Sequence, residues 1–265
     1  MTTFKSFEQQ AWEAKAGRYQ STWGTVTMQP ISAVLAAARI ERGSQLLDCG
    51  AGPGTLCHEA SLLGAEVVGC DYSQEMVRIA SAHYPELEFF HGDAERLSFG
   101  DCSFDAVTLN YLLLHVAEPE RALCEAARVL RPGGRLVYTL WLPPTQSPGL
   151  KLIFDAIKAY ADSSVIPPAG DIFLYSDPAK AIGSLEQIGF KEISCSEFPS
   201  FWEVESAEQF FGAVQAGTRM GGLIDLQEPK VKEQIRQHIA QNIEVFKADA
   251  CYRIPTPSLI VAATR

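Results

Sequence analysis

The stretch Leu46-Leu47-Asp48-Cys49-Gly50-Ala51-Gly52-Pro53-Gly54-Thr55 constrains this chain more than any other. Two apolar residues and an acid run into three glycines at alternate positions, with a helical pattern beyond. That order predicts a buried strand ending in a tight turn onto a helix. Glycine permits positive φ and puts no Cβ between main chain and ligand. The stretch therefore implies a crevice at the carboxyl end of a strand, where open α/β sheets bind their ligands. The dinucleotide frame G-x-G-x-x-G does not fit: counted from Gly50, the third glycine falls at 54 and the dinucleotide position is Thr55. Pro53 has no N–H to offer a phosphate, and no Gly-Lys-Ser/Thr follows, which excludes a P-loop. The turn suits close approach by a ligand that lacks a pyrophosphate.

An alternation of strand and helix surrounds it. Strands are predicted at 46–49, 66–70, 87–91, 104–109 and 135–141, and helices at 55–63, 73–83 and 119–130. Short connections between them imply a parallel sheet with right-handed crossovers. Ahead of the sheet, Phe4, Phe7, Ala11, Trp12, Ala16 and Tyr19 recur at helical spacing behind Thr3 as N-cap, and 28–40 reads as a second helix with Pro30 in its first turn. Beyond Leu142 the rhythm loosens. Helices at about 150–161 and 178–188 precede a strand at 191–198 that reads on towards Trp202 and Val204. Residues 206–250 read as helical, with a Ser206-x-x-Gln209 capping box and a gap around Gly221-Gly222, and the last strand is 258–263.

A formal net charge of -10 gives no long-range field to draw in nucleic acid. The seven cysteines are scattered and form no C-x-x-C pair, so no structural metal is expected, and a reducing, cytoplasmic setting is. Neither a signal-peptide pattern nor a membrane span is read; the acidic charge favours a small molecule over nucleic acid as partner, and a monomer or homodimer is expected.

Three consecutive strands end in a glycine or an acid. Asp71 closes the second, about 20 residues beyond the turn, where a carboxylate can accept two bonds from a ribose diol or cap the next helix. Asp93, after Gly92, closes the third; it can accept an exocyclic amine, with the N–H of Ala94 on a ring nitrogen, or form an Asx-turn. Met76, one helical turn past Asp71, can pack on a flat base. Together they describe a nucleoside site. His115 follows Leu112-Leu113-Leu114 near the end of the fourth strand, where it can serve as a base for an acceptor or as a structural histidine. Tyr111 can orient a substrate there.

These residues resemble the class I S-adenosylmethionine-dependent methyltransferases, specifically the UbiE-like, type 11 small-molecule group. The resemblance rests on 46–54, on Val-Gly-Cys-Asp-Tyr-Ser-Gln-Glu-Met at 68–76 and on His-Gly-Asp-Ala-Glu-Arg-Leu-Ser-Phe at 91–99. It continues through Phe-Asp-Ala-Val at 104–107, Leu-Leu-His at 113–115 and Arg-Val-Leu-Arg-Pro-Gly-Gly-Arg-Leu at 128–136. It implies a Rossmann-like, seven-stranded, mostly parallel α/β sheet whose last strand enters antiparallel between the fifth and sixth. It implies S-adenosyl-L-methionine as cofactor and S-adenosyl-L-homocysteine as product. Gly50, Ala51 and Gly52 would hold the methionine moiety, Asp48 would brace the loop or reach the ammonium, and the Asn110 carbonyl would take the amino group. Asp71 would bind the ribose with Tyr72 and Met76 beside it, and Asp93 and Ala94 would read adenine. Tyr19 would close over the cofactor, or Arg18 would meet its carboxylate. His115 and Tyr111 are the catalytic candidates.

The expected organisation is one methyltransferase domain over 1–265, with an N-terminal helical lid at 1–42, a cofactor core at 43–141 and cap elements at 142–190 and 206–250. Phe154, Tyr160, Phe173, Tyr175, Phe201, Trp202, Phe210 and Phe211 are expected to build an apolar substrate chamber. The expected reaction is methyl transfer to an O, N or C atom of a small, largely apolar metabolite. The alternative is a non-methylating cyclase of natural-product metabolism on the same fold.

Overall fold

A computed structural model describes residues 3–265. The chain begins with α1 (Phe4–Tyr19), α2 (Gly24–Thr27) and α3 (Ile31–Ala37). The alternating segment is β1 (Gln45–Cys49), α4 (Thr55–Leu62), β2 (Glu66–Asp71), α5 (Gln74–His83), β3 (Glu88–His91), β4 (Phe104–Asn110), α6 (Pro119–Val129) and β5 (Leu130–Trp141). Then come α7 (Pro148–Tyr160), α8 (Pro178–Ile188), β6 (Lys191–Phe198), β7 (Phe201–Val204), α9 (Ala207–Ala216) and α10 (Arg219–Asp225). The chain closes with α11 (Pro229–Asn242), β8 (Lys247–Ala248), β9 (Cys251–Pro255) and β10 (Ser258–Thr264).

Two compact units form. One holds Thr27–Leu140, Asp171–Phe198 and Leu259–Arg265; the other holds the chain up to Val26, Trp141–Gly170 and Pro199–Ser258. Residues 27–42 and 171–190 thus stay with the sheet rather than with the lid and cap segments that the sequence outlines.

The first unit carries a seven-stranded sheet in the order β3-β2-β1-β4-β5-β10-β6. β1 pairs in parallel with β2 and β4, β2 with β3, and β4 with β5. The last strand does enter between the fifth and sixth. It runs antiparallel to β5: residues 133 and 134 bond to Arg265, while Leu142 bonds to Pro257. Leu46, Leu47, Asp48 and Cys49 are all buried, as a central parallel strand covered on both faces requires. Ile31, Val34, Leu35 and Ala38 join Leu46, Leu56, Ala60, Val67 and Ala106 in one apolar cluster on the α3–α4 face. Ser73 caps α5 by accepting from the Met76 N–H at 3.2 Å.

Two boundaries differ from the sequence reading. The 28–40 segment holds one short helix, α3, which spans only Ile31–Ala37, with Pro30 capping it rather than lying inside it; α2 ends before this segment, at Thr27. Arg131-Pro132-Gly133-Gly134 does not separate α6 from β5 but belongs to the strand. The register passes from Phe104↔Leu130 to Ala106↔Arg135, so a bulge absorbs the extra residues.

The second unit contains α1, α7, α9–α11 and a small antiparallel sheet, β7-β9-β8. Thr3 and Ser6 form a capping box at α1. Lys15 Nζ reaches from α1 to the carbonyls of Gln215 (2.7 Å) and Gly217 (3.1 Å) and to Asp225 (2.8 Å), a cation at the end of α9. Strand 191–198 does not continue through Trp202. Pro199 breaks it, and β7 pairs with β9 instead. Residues 206–250 are helical only to Phe246; Lys247–Ala248 is already a strand. Gly221 and Gly222 mark no gap: both lie inside α10, where a Cβ on Gly221 would stand 2.2 Å from the Gln215 oxygen. Ser206 caps α9, but Gln209 answers to the N–H of Glu205, one residue earlier than the capping box predicts.

Four of the eight aromatics expected to line a substrate chamber are packing residues instead. Trp202 is buried and sits edge-to-face against Trp23 and Phe210, at 4.6 and 5.0 Å between centroids, and Phe211 is buried beside Phe210 on α9. Tyr175 is buried in the sheet unit, where its carbonyl accepts from the Tyr138 hydroxyl at 3.3 Å.

Candidate active site

The site is built where β1, β2, β3 and β4 end side by side. Gly50 has φ +72° and Gly52 φ +53°, so the turn after β1 uses the left-handed region that glycine tolerates. A Cβ on Gly50 would meet the Leu112 Cδ1 at 2.8 Å, whereas one on Gly52 would meet nothing within 4 Å. Gly52 therefore fronts open space, and Gly50 is pressed against the segment that follows β4.

The amide groups of this turn are engaged within the protein. Gly50 and Ala51 both donate to the Cys70 carbonyl (2.7 and 3.1 Å), Gly54 donates to Ala51 (3.0 Å), and Gly52 donates to Asp71 Oδ2 at 2.8 Å. Pro53 has no N–H. A pyrophosphate would need several of these donors aimed outward. Instead Asp48, Asp71 and Asp93 stand at the ends of β1, β2 and β3, a set of carboxylates that favours a cationic ligand. S-adenosylmethionine, with its sulfonium and ammonium groups, an adenosine diol and no phosphate, fits this set of acceptors.

Asp48 is 1 % exposed. Its Oδ1 accepts from the Thr108 hydroxyl at 2.7 Å and its Oδ2 from the Cys57 thiol at 3.6 Å. Burial pushes its carboxyl up from 3.8 to about 7; the two hydrogen bonds oppose that and the nearby Asp71 charge adds to it. Asp71 Oδ1 accepts from the Ser73 N–H at 2.9 Å, so this side chain ties the glycine turn to the start of α5 while Ser73 itself caps the helix. A carboxylate accepts up to about four hydrogen bonds, which keeps these two compatible with a diol. The Tyr72 carbonyl accepts from His91 Nε2 at 3.1 Å, and Met76 is buried at 2 % exposure. Asp93 does form the Asx-turn, accepting from the Glu95 N–H at 3.0 Å, and Ala94 is buried beside it.

After β4 the backbone turns sharply. Tyr111 has φ +54°, a conformation that costs a residue with a side chain on the order of 1 kcal/mol or more. Its N–H is held by the Thr139 hydroxyl at 2.9 Å, and that hydroxyl also donates to Asn110 Oδ1 at 2.6 Å. Asn110 Nδ2 donates to the Thr27 carbonyl at 3.2 Å. His115 lies in the turn that follows, its N–H bonded to Leu112 O at 2.8 Å. The sheet unit thus gathers Asp48, Gly50, Ala51, Gly52, Asp71, Tyr72, Met76, Asp93, Ala94, Asn110, Tyr111 and His115. Tyr19 belongs to the other unit, edge-to-face with Trp12 at 5.3 Å, and Arg18 there donates to Gly212 O at 3.3 Å.

Thr108 and Thr139 were missed by the sequence reading. Each is a buried hydroxyl in an apolar strand run, Val107-Thr108-Leu109 and Tyr138-Thr139-Leu140, and that interruption is the signal that could have found them. Leu112, against Gly50, carries no such mark.

Strand order and turn define the class I methyltransferase fold. Residues 47–138 match the family model described as a methyltransferase domain. The chain is similar to the demethylmenaquinone methyltransferase of Renibacterium salmoninarum, at 37% identity over 136 residues, 50% of this chain and 57% of that protein. A second such enzyme, from Paenarthrobacter aurescens, is 42% identical over 111 residues, 42% of this chain and 44% of that protein, so the chain spans about half the length of these curated relatives. Among solved structures, the YcgJ protein of Bacillus subtilis superposes with a TM-score of 0.61 at 18% identity, covering 90% of this chain and 98% of that one. The cyclase SpnF superposes at 0.54 and 23% identity, over 88% of this chain and 79% of that one, a likeness that carries the fold alone and gives the cyclase alternative no support.

Proposed function

We propose that this chain is a methyltransferase that uses S-adenosylmethionine to methylate an O, N or C atom of a small, largely apolar metabolite. The observation that carries the reading is the glycine turn: its amides are engaged internally, an open face lies at Gly52, and the Asp71 carboxylate is tied to it. When bound, the cofactor supplies a methyl group already activated by sulfonium charge. The protein's tasks are then to bind, orient and exclude water.

Gly50, Ala51 and Gly52 let the main chain approach the methionine moiety, and the Asn110 carbonyl accepts from its amino group. Asp48, bonded to Thr108 and Cys57, braces the strand behind the loop. Asp71 takes the ribose hydroxyls, and Tyr72, Met76, Asp93 and Ala94 take the base. His115 accepts the proton of the acceptor group, and Tyr111 orients the acceptor. The names of the relatives make demethylmenaquinone the first acceptor to test. The experiment is release of S-adenosylhomocysteine from S-adenosylmethionine with demethylmenaquinone and a panel of smaller phenols and quinols. Stoichiometric release with a methylated product supports the reading. Turnover of an acceptor without any S-adenosylhomocysteine contradicts it.

A further inference from the structure

We propose that Thr139 is a positioning residue: its hydroxyl sets the direction of the Asn110 carbonyl and so the grip on a ligand's ammonium group. This rests on the cofactor reading above. Asn110 and Thr139 are register partners across β4 and β5. Thr139 is buried. Its Oγ1 accepts from the Tyr111 N–H at 2.9 Å, and its main-chain oxygen accepts from the same N–H at 3.2 Å. A hydroxyl has one hydrogen, and here it goes to Asn110 Oδ1 at 2.6 Å. The amide is thereby oriented, since Nδ2 must face the Thr27 carbonyl at 3.2 Å. Thr139 holds both residues that bracket one peptide bond.

That peptide bond is trans and planar, so its C=O and N–H point in opposite directions. With the Tyr111 N–H directed to β5, the Asn110 carbonyl is directed to the other neighbour of β4, which is β1. The glycine turn begins where β1 ends. The left-handed Tyr111, at φ +54°, is the cost of this arrangement, and such a conformation persists only where surrounding bonds over-determine it. The Thr139 hydroxyl supplies two of those bonds. Threonine in this place therefore does more than fill a strand: it turns a main-chain acceptor towards the ligand.

The test is calorimetric titration with S-adenosylhomocysteine and with its analogue lacking the amino group, using wild type, Thr139→Val, Thr139→Ala and Thr139→Ser, with thermal melting to verify folding. Removing the hydroxyl should weaken S-adenosylhomocysteine by about tenfold and leave the desamino analogue unchanged, and Thr139→Ser should bind as wild type does. Equal weakening of both ligands marks a merely structural role and overturns the proposal, as does a hydroxyl-free variant that binds both like wild type. Wild type that binds neither ligand overturns the cofactor reading itself and this inference with it.

Discussion

Gly50 and Gly52 are two residues apart and both left-handed, yet alanine at each should fail in a different way. At Gly52, φ is +53° and an added Cβ meets no heavy atom within 4 Å. The cost to the fold is then the backbone conformation alone, about 1–2 kcal/mol, which for a chain of this size lowers Tm by roughly 2–8 °C. At Gly50, φ is +72° and the Cβ would lie 2.8 Å from Leu112 Cδ1 and 3.3 Å from its Cβ and Cγ. The δ-methyl can rotate away, but Leu112 Cβ moves only with its backbone. Overpacking adds about 1–3 kcal/mol to the conformational cost, so Gly50→Ala should be the less stable variant by several degrees. Ligand affinity should rank the other way among folded protein. A methyl on Gly52 enters the space assigned to the methionine moiety and should weaken S-adenosylmethionine by about tenfold or more. Differential scanning calorimetry and isothermal titration on both variants read the two quantities separately. If Gly52→Ala binds S-adenosylmethionine as tightly as wild type, the open face of the turn is not the cofactor's place.

Two further substitutions probe the same site. Asp48 has its carboxyl raised from 3.8 to about 7 by burial, so as pH rises the unfolded chain loses this proton first; the group withdraws stability between about pH 4 and 7 and the whole penalty stands above 7. That gap converts to at most on the order of 4 kcal/mol, and urea unfolding at pH 5 and pH 8 should show Asp48→Asn losing less stability over that interval than wild type; equal losses would contradict the burial argument. His115→Ala should slow turnover on the true acceptor by about 10²-fold or more while S-adenosylmethionine affinity stays put, and unchanged turnover would remove His115 as the base.

The glycine turn and the elements around it were legible because their signals are local. Apolar run, acid and three glycines lie within ten residues with a helical pattern directly beyond, and Ser73 and Pro119 mark helix starts where they stand. What binds the site together was not legible, because it depends on strand register. Thr108 reaches Asp48 across 60 positions of sequence, and Thr139 reaches Asn110 across 29. The local mark those threonines carry, a hydroxyl inside an apolar run, does not name the partner it will meet. Past Trp141 a different limit applies. Apolarity does not say which side of an aromatic will face a ligand, and Trp202 turns out to pack on Trp23 and Phe210 within one unit. The break at Pro199 was visible as a proline, but its consequence, transfer of Phe201–Val204 to a second sheet, depends on β9 some fifty residues away.

Binding decides whether this turn holds S-adenosylmethionine. Isothermal titration of the wild-type chain with S-adenosylmethionine, S-adenosylhomocysteine and a nicotinamide dinucleotide, beside an Asp71→Ala control shown to be folded, tests it most directly. The first two ligands should bind, the dinucleotide should not, and both heats should be lost in the control, which lacks the carboxylate that bridges the turn and the start of α5. Folded wild type that gives no heat with either adenosyl ligand, or that takes the dinucleotide instead, would contradict it.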